Sequence, residues 1–380
     1  MSRIGLPQVT PGDRPTHVFP GTDVIVESLP KISLHDHLDG GVRPSTIVDL
    51  ATAVGIEIPA TTPVELNEWV RANADSGNLV DYLATFEVTL SVMQTADNLE
   101  RIAREFVEDL IADGVVYAEV RWAPELHLTS GLTMRDAIDA VQRGIESAAD
   151  AGRSEGNAIQ VRQLLCAMRQ ANNADAVADL VIEYRGRGVA GFDIAGPEIG
   201  FPVSRLATAF AKLDAAWVPR TIHAGEADGL DSIDGALLDG RALRLGHGVR
   251  ITDDFTITDS GSAQHVVMGA LAEWVRDRRV ALEICPTSNV HTNSFTRFGE
   301  TIETHPFDLL YQLGFAVTVN TDNRLMSGTS LSREIANLAE VFGYSLDDVL
   351  EWQLTAARSA FVPVEDRDDL VEFILDAYSR

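Results

Sequence analysis

Histidines and carboxylates stand where several apolar runs end, and the first pair sets the chemistry to consider. His35 and His37 are two residues apart, directly after Lys31-Ile-Ser-Leu34. In an extended strand residues i and i+2 face the same side, so both imidazoles can reach one ion. Zinc takes neutral imidazole nitrogen at roughly 2.0–2.1 Å. Later runs end in His223-Ala-Gly-Glu226, Gly246-His247-Gly248 and Thr321-Asp322. Gathered at one mouth, three histidines and a carboxylate suit zinc. The remaining position would hold a water whose pKa the ion lowers toward ~7. Singly, each residue has a plainer reading. His247 would be a turn residue, Glu226 a first-turn helix glutamate, Asp322 a helix N-cap and Asp39 a turn former. Together these readings require an independent accident at each of four strand ends.

Other metal chemistries fit less well. A two-metal barrel commonly bridges its ions with a carboxylated lysine, but the only lysines are Lys31, ahead of the histidine pair, and Lys212, inside a helical pattern. One ion is therefore expected. The only cysteines, Cys166 and Cys285, are too few and too far apart for a paired-thiolate zinc site. They sit in apolar runs and read as buried, reduced thiols. No His-Glu-X-X-His helix and no phosphate loop ending in Gly-Lys is present.

The elements that must position these residues alternate. Strand patterns occur at 115–122, 161–168, 189–195, 220–223, 242–245, 280–285 and 315–320, besides the run before His35. Helical patterns lie between them, including 134–151, 174–187, 204–217, 231–238, 265–278 and 306–313. Such alternation predicts a parallel sheet. About eight units predict an α/β fold, a TIM (β/α)8 barrel, whose reactive groups gather at the C-terminal strand ends. After the first strand, residues 44–54 read as a helix, 55–95 as helical insertions and 97–113 as a helix with Leu99, Ile102, Phe106, Leu110 and Ile111 at helical spacing, and helices beginning near Leu331, Ser345 and Asp366 read as C-terminal additions. No low-complexity linker interrupts the chain, so one domain is expected over residues 1–380. It divides into an arm at 1–28 and the barrel with its helical additions at 29–380.

Composition narrows the partners. Hydrophobic residues make up 45% and charged residues 23% of the chain, a balance that supports a large core. The formal net charge of −27 repels nucleic acid backbones and anionic membranes. No apolar run has the length of a signal peptide core or a membrane helix. A cytoplasmic protein with a small-molecule partner is the expectation. Whether it is a monomer or a homo-oligomer is not legible.

The segments HDHLDG, GFDIAG, HAGE, LGHGV, CPTSN and NTDN, spread from Leu34 to Asn323, resemble the adenosine deaminase family. The resemblance implies hydrolysis of adenosine and 2′-deoxyadenosine to inosine and deoxyinosine in purine salvage, with one Zn2+ per subunit. It makes His35, His37, His223 and Asp322 the metal ligands. His247 would orient the attacking water and take its proton, and Glu226 would protonate purine N1. Gly196 would offer its backbone N–H to N3, and Asp39 would bind the ribose 5′-hydroxyl. Two departures stand out. Asn323 follows Asp322 where relatives often carry a second Asp, and its amide can donate to N7. Pro197 follows Gly196 where relatives often carry Asp. Deaminases of adenine, of adenosine 5′-monophosphate or of 6-substituted purine nucleosides share the chemistry. Another amidohydrolase and a non-catalytic purine-binding protein are the remaining alternatives.

Overall fold

The computed structural model describes residues 16–75, 79–260 and 263–379. Most of the expected N-terminal arm, residues 1–15, lies outside the described residues. Ten strands form among the described residues: β1 (Lys31–His37), β2 (Val115–Trp122), β3 (Gln160–Met168), β4 (Val189–Ala195), β5 (Thr221–Ala224), β6 (Arg244–His247), β7 (Phe255–Ser260), β8 (Ala263–Met268), β9 (Ala281–Ile284) and β10 (Val317–Val319). Eight of them are parallel and coincide with the apolar runs. They pair as β1-β2-β3-β4 and β5-β6-β9-β10.

Two seams join these sheets into a ring. At one, Phe192 bridges Arg220. At the other, the His37 N–H donates to the Asp322 carbonyl and the Asp322 N–H donates to the His35 carbonyl, each at 3.0 Å. β10 is only three residues long, so two β1 amides are satisfied there by side chains. The Ile32 N–H donates to Gln353 Oε1 at 2.8 Å, and the Leu34 N–H to Asn320 Oδ1 at 3.0 Å. A buried backbone donor left without such a partner would be costly. The ring is the expected barrel, and the closing seam is also where Asp322 meets the histidine pair.

The helices between β1 and β2 are α1 (Pro44–Val54), α2 (Pro63–Ala74), α3 (Leu79–Ser91) and α4 (Ala96–Ala112). Thr62 and Thr95 cap α2 and α4 through their hydroxyls. Leu99, Ile102, Phe106 and Leu110 of α4 are buried at helical spacing, as the sequence predicts. The C-terminal helices Leu346–Ser359 and Val364–Tyr378 bring Leu354, Ala357, Leu370 and Ile374 into one apolar cluster with Ile32 and Leu34 of β1. Among the described residues, no helix is long and apolar enough to cross a membrane.

One expected element is different. The helix read over 265–278 begins only at Ala270, and His265 lies in β8, which pairs antiparallel with β7. Val266, Val267 and Met268 suit a helical as well as a strand pattern, but the alternation in Phe255–Ser260 ahead of them is that of a hairpin arm.

Strand alternation carries the site. On β1, His35 and His37 face the inside while Asp36 points outward to the Arg324 guanidinium, 2.9 Å away. Beneath the histidines the barrel interior is charged rather than aliphatic. Arg121 donates to Asp193 at 2.7 Å and to Glu283 at 2.6 Å, and Arg244 donates to Glu283 at 2.6 Å and to Glu119 at 2.5 Å. All five side chains are buried. Each guanidinium meets two carboxylates, which offsets the desolvation that one unpaired charge would suffer.

Candidate active site

Four side chains from three strand ends converge. His37 Nε2 lies 3.3 Å from His223 Nε2 and 3.2 Å from Asp322 Oδ1, and His35 Nε2 lies 3.3 Å from the same oxygen. Four ligand atoms bound tetrahedrally at roughly 2.0–2.1 Å would be about 3.3 Å apart. The buried His35 Nε2 makes no hydrogen bond. The spacing and the orphaned nitrogen fit a divalent ion.

Carboxylates stand behind the ring nitrogens that face away. Glu283 Oε2 is 3.1 Å from His35 Nδ1, and Asp193 Oδ2 is 2.8 Å from His223 Nδ1. A carboxylate there draws the imidazole proton to Nδ1 and leaves Nε2 bare for an ion. Burial alone would raise the pKa of Asp193, but the His223 ring and the Arg121 guanidinium beside it hold it well below the carboxylate range. Burial pushes His223 down to about 3, so its ring is neutral, as a ligand must be.

Asp322 follows β10 with φ 58°, and His247 ends β6 with φ 62°. The left-handed region costs a non-glycine residue about 1–3 kcal/mol and tends to occur at functional sites. Burial opposes ionisation of Asp322, yet the His35 and His37 rings beside it hold its pKa well below the usual range. Ser288 Oγ donates to its other oxygen at 2.7 Å. Gly246 lets the strands close, because a Cβ there would lie 3.0 Å from His223 Cα and 3.2 Å from His35 Cε1.

His35, His223, His247 and Asp322 also offer ligand atoms within 4.8 Å of one another. His37 is the better fourth ligand, since its Nε2 is nearer both His223 and Asp322. The two nitrogens of His247 have other partners: Nδ1 is 3.0 Å from Asn289 Nδ2, and Nε2 is 3.5 Å from Glu226 Oε2. Burial, followed by the charges of Asp322 and Glu198, raises Glu226 to about 8. Glu226 therefore holds a proton at neutral pH beside a histidine and next to the ligand cluster.

The remaining expected residues ring this centre. Asp39 is buried, and its Oδ1 has no hydrogen-bond partner. Gly196 takes φ 92° just past β4. Asn323 is buried, and its amide packs on Gly40, where a Cβ would meet Asn323 Oδ1 at 2.1 Å.

Sequence reasoning missed Asp193, Glu283 and Glu198. The first two are charges within otherwise apolar strands, a signal that was available. Glu198 stands next to the Pro197 departure, and nothing local reveals that its carboxylate accepts the N–H groups of Gly225, Ala227 and Asp228 at 2.6–2.8 Å.

Residues 30–377 match the family described as adenosine deaminase. The chain is 49% identical over 353 residues to the adenosine deaminase of Mycobacteroides abscessus, covering 93% of this chain and 96% of that protein. It is 49% identical over 351 residues to adenosine deaminase 1 of Streptomyces coelicolor, covering 92% and 87% respectively. Among solved structures, the Arabidopsis N6-mAMP deaminase superposes with a TM-score of 0.78 at 27% identity, covering 92% of this chain and 99% of that one.

Proposed function

The chain belongs to the adenosine deaminase family, and from that premise we propose that it hydrolyses adenosine and 2′-deoxyadenosine to inosine and deoxyinosine, releasing ammonia. The observation that carries this reading is the approach of Glu226 Oε2 to His247 Nε2, 3.5 Å, beside the His35–His37–His223–Asp322 cluster. A proton donor and a holder of the attacking oxygen meet there.

Attack at C6 breaks the aromaticity of the purine ring and drives electron density onto N1. The Glu226 carboxyl, still protonated near neutral pH, gives its proton to that nitrogen, the carboxylate so left takes the proton of the attacking water, and the hydroxyl proton of the tetrahedral centre leaves with the amino group as ammonia. His247 holds the attacking oxygen over C6. His35, His37, His223 and Asp322 would hold one divalent ion, and zinc suits three imidazoles and a carboxylate. When bound, such an ion supplies a water acidic enough to attack at neutral pH.

Three residues then orient the nucleoside. The Gly196 N–H meets N3, the Asn323 amide donates to N7, and Asp39 takes the 5′-hydroxyl. The buried Asp39 carboxylate would repel a 5′-phosphate, which favours nucleosides over nucleotides. The acidic chain and its two free, buried cysteines suit a cytoplasmic enzyme of purine salvage.

The test is a substrate panel run with metal analysis on one preparation. Adenosine and deoxyadenosine should be converted, with a shift of the purine absorbance band and about one zinc per chain. Preference for adenine, for adenosine 5′-monophosphate or for a 6-substituted purine nucleoside would replace this assignment.

A further inference from the structure

A chain of contacts runs from a backbone amide to His247. The chain of contacts begins at Phe307, whose N–H donates to His305 Nδ1 at 3.0 Å. A backbone N–H can only donate, so Nδ1 of His305 is bare. His305 is buried, and burial pushes its pKa down to about 3, so the ring is neutral with its one proton on Nε2. That nitrogen faces Asn289 Oδ1 at 3.4 Å. The Asn289 amide is thereby oriented, because turning it over would set its N–H groups against the Nε2 proton of His305. Its nitrogen faces His247 Nδ1 at 3.0 Å. An amide N–H can only donate, so this nitrogen of His247 is also bare.

We propose that His305 and Asn289 are positioning residues that fix neutral His247 with its proton on Nε2, so that the ring donates a hydrogen bond to the attacking oxygen. The proposal rests on the deaminase reading of the site and deepens it. It replaces the sequence expectation that His247 takes the proton of the attacking water, since a ring acting that way needs a bare Nε2. Reaching that tautomer would break the contact with Asn289. The short helix Pro286–His291 carries Asn289, and the loop after it carries His305. Asn289 belongs to the CPTSN segment.

The test is long-range 1H–15N correlation on the zinc-loaded enzyme with 15N-labelled histidine, with His247 assigned by loss of its signals in His247→Asn. The expected wild-type spectrum shows Nδ1 of His247 as the unprotonated nitrogen and Nε2 as the protonated one. Asn289→Asp places a carboxylate oxygen against Nδ1 and should exchange the two signals. In that variant kcat should fall roughly tenfold or more while KM changes less than about threefold. His305→Gln, whose amide can still donate to Asn289, should keep the wild-type pattern, and His305→Leu should mix the two. A wild-type spectrum with the proton on Nδ1 or on both nitrogens overturns the proposal and requires no variant to fold. An unchanged pattern in Asn289→Asp overturns it too. The expected spectrum without adenosine turnover would sink the functional reading alone, and turnover with the reversed spectrum would sink the tautomer alone.

Discussion

Glu198 accepts the Ala227 N–H at 2.7 Å, directly after the residue placed to protonate the purine. The same carboxylate takes the N–H groups of Gly225 at 2.6 Å and Asp228 at 2.8 Å. With the Glu226 N–H at 3.3 Å, four backbone donors on one buried carboxylate fix the path of the loop, and with it the aim of Glu226. A small misplacement of a reacting group can cost about a hundredfold in rate. Glu198→Gln, which turns an acceptor oxygen into a donor facing N–H groups, should lower kcat by roughly 10- to 100-fold while metal content stays at wild type. Steady-state kinetics with metal analysis would check this, and a fully active variant would remove Glu198 from the machinery.

Glu226 supplies the second prediction. Burial and the carboxylates of Asp322 and Glu198 raise it to about 8, so the protonated form prevails below that pH and is lost above it. Activity should therefore fall on an alkaline limb, and a bound divalent cation should move that limb to lower pH because it favours the carboxylate. Glu226→Gln should keep the metal, abolish that limb and lose roughly 10²- to 10⁴-fold in kcat. A pH–rate profile of both proteins decides it, and an unchanged alkaline limb in the variant would assign it to another group.

Much of this arrangement was legible from the residue order. The spacing of His35 and His37 places both on one strand face, and the apolar runs ending at His223, His247 and Asp322 locate three further strand ends. The β7–β8 hairpin was hidden because Val266, Val267 and Met268 suit either a helix or a strand over so short a run. What could not be read were partners set by tertiary register. Asp193 meets His223 only because β4 and β5 are neighbours in the ring, and Glu283 meets His35 because β9 lies two strands round from β1. The contact of Asn289 with His305 likewise joins residues that no periodicity connects.

Those hidden carboxylates carry a third prediction. Asp193→Asn removes the anion 2.8 Å from His223 Nδ1 and weakens the bias that leaves Nε2 bare. Loss of such an outer partner typically costs 10- to 100-fold in metal affinity. Competition with a chromogenic chelator should show a loss on that scale. The variant should also be less stable, because Arg121 would lose one of its two buried carboxylates. Wild-type affinity in a folded Asp193→Asn protein would show that the contact does not tune the ion.

The last prediction concerns acid. His305 has an ordinary pKa of 6.5 and is held at about 3 in the fold by burial. Between those values the unfolded chain binds a proton that the folded chain does not. Stability linked to this group is therefore fully present above about 6.5 and is lost as pH falls toward 3. One proton limits the slope to about 1.4 kcal/mol per pH unit. Carboxylates with depressed pKa values, Asp193 and Glu283 among them, lose stability in the same direction, so the total slope does not isolate the histidine. The difference between wild type and His305→Gln does. Urea unfolding at pH 4.5, 5.5 and 6.5 should show a shallower acid dependence in the variant, by up to that limit, even if its stability at pH 6.5 is lower. Parallel curves would mean that His305 does not stay neutral in the fold across this range, and the proton assignment reaching His247 would lose its starting point.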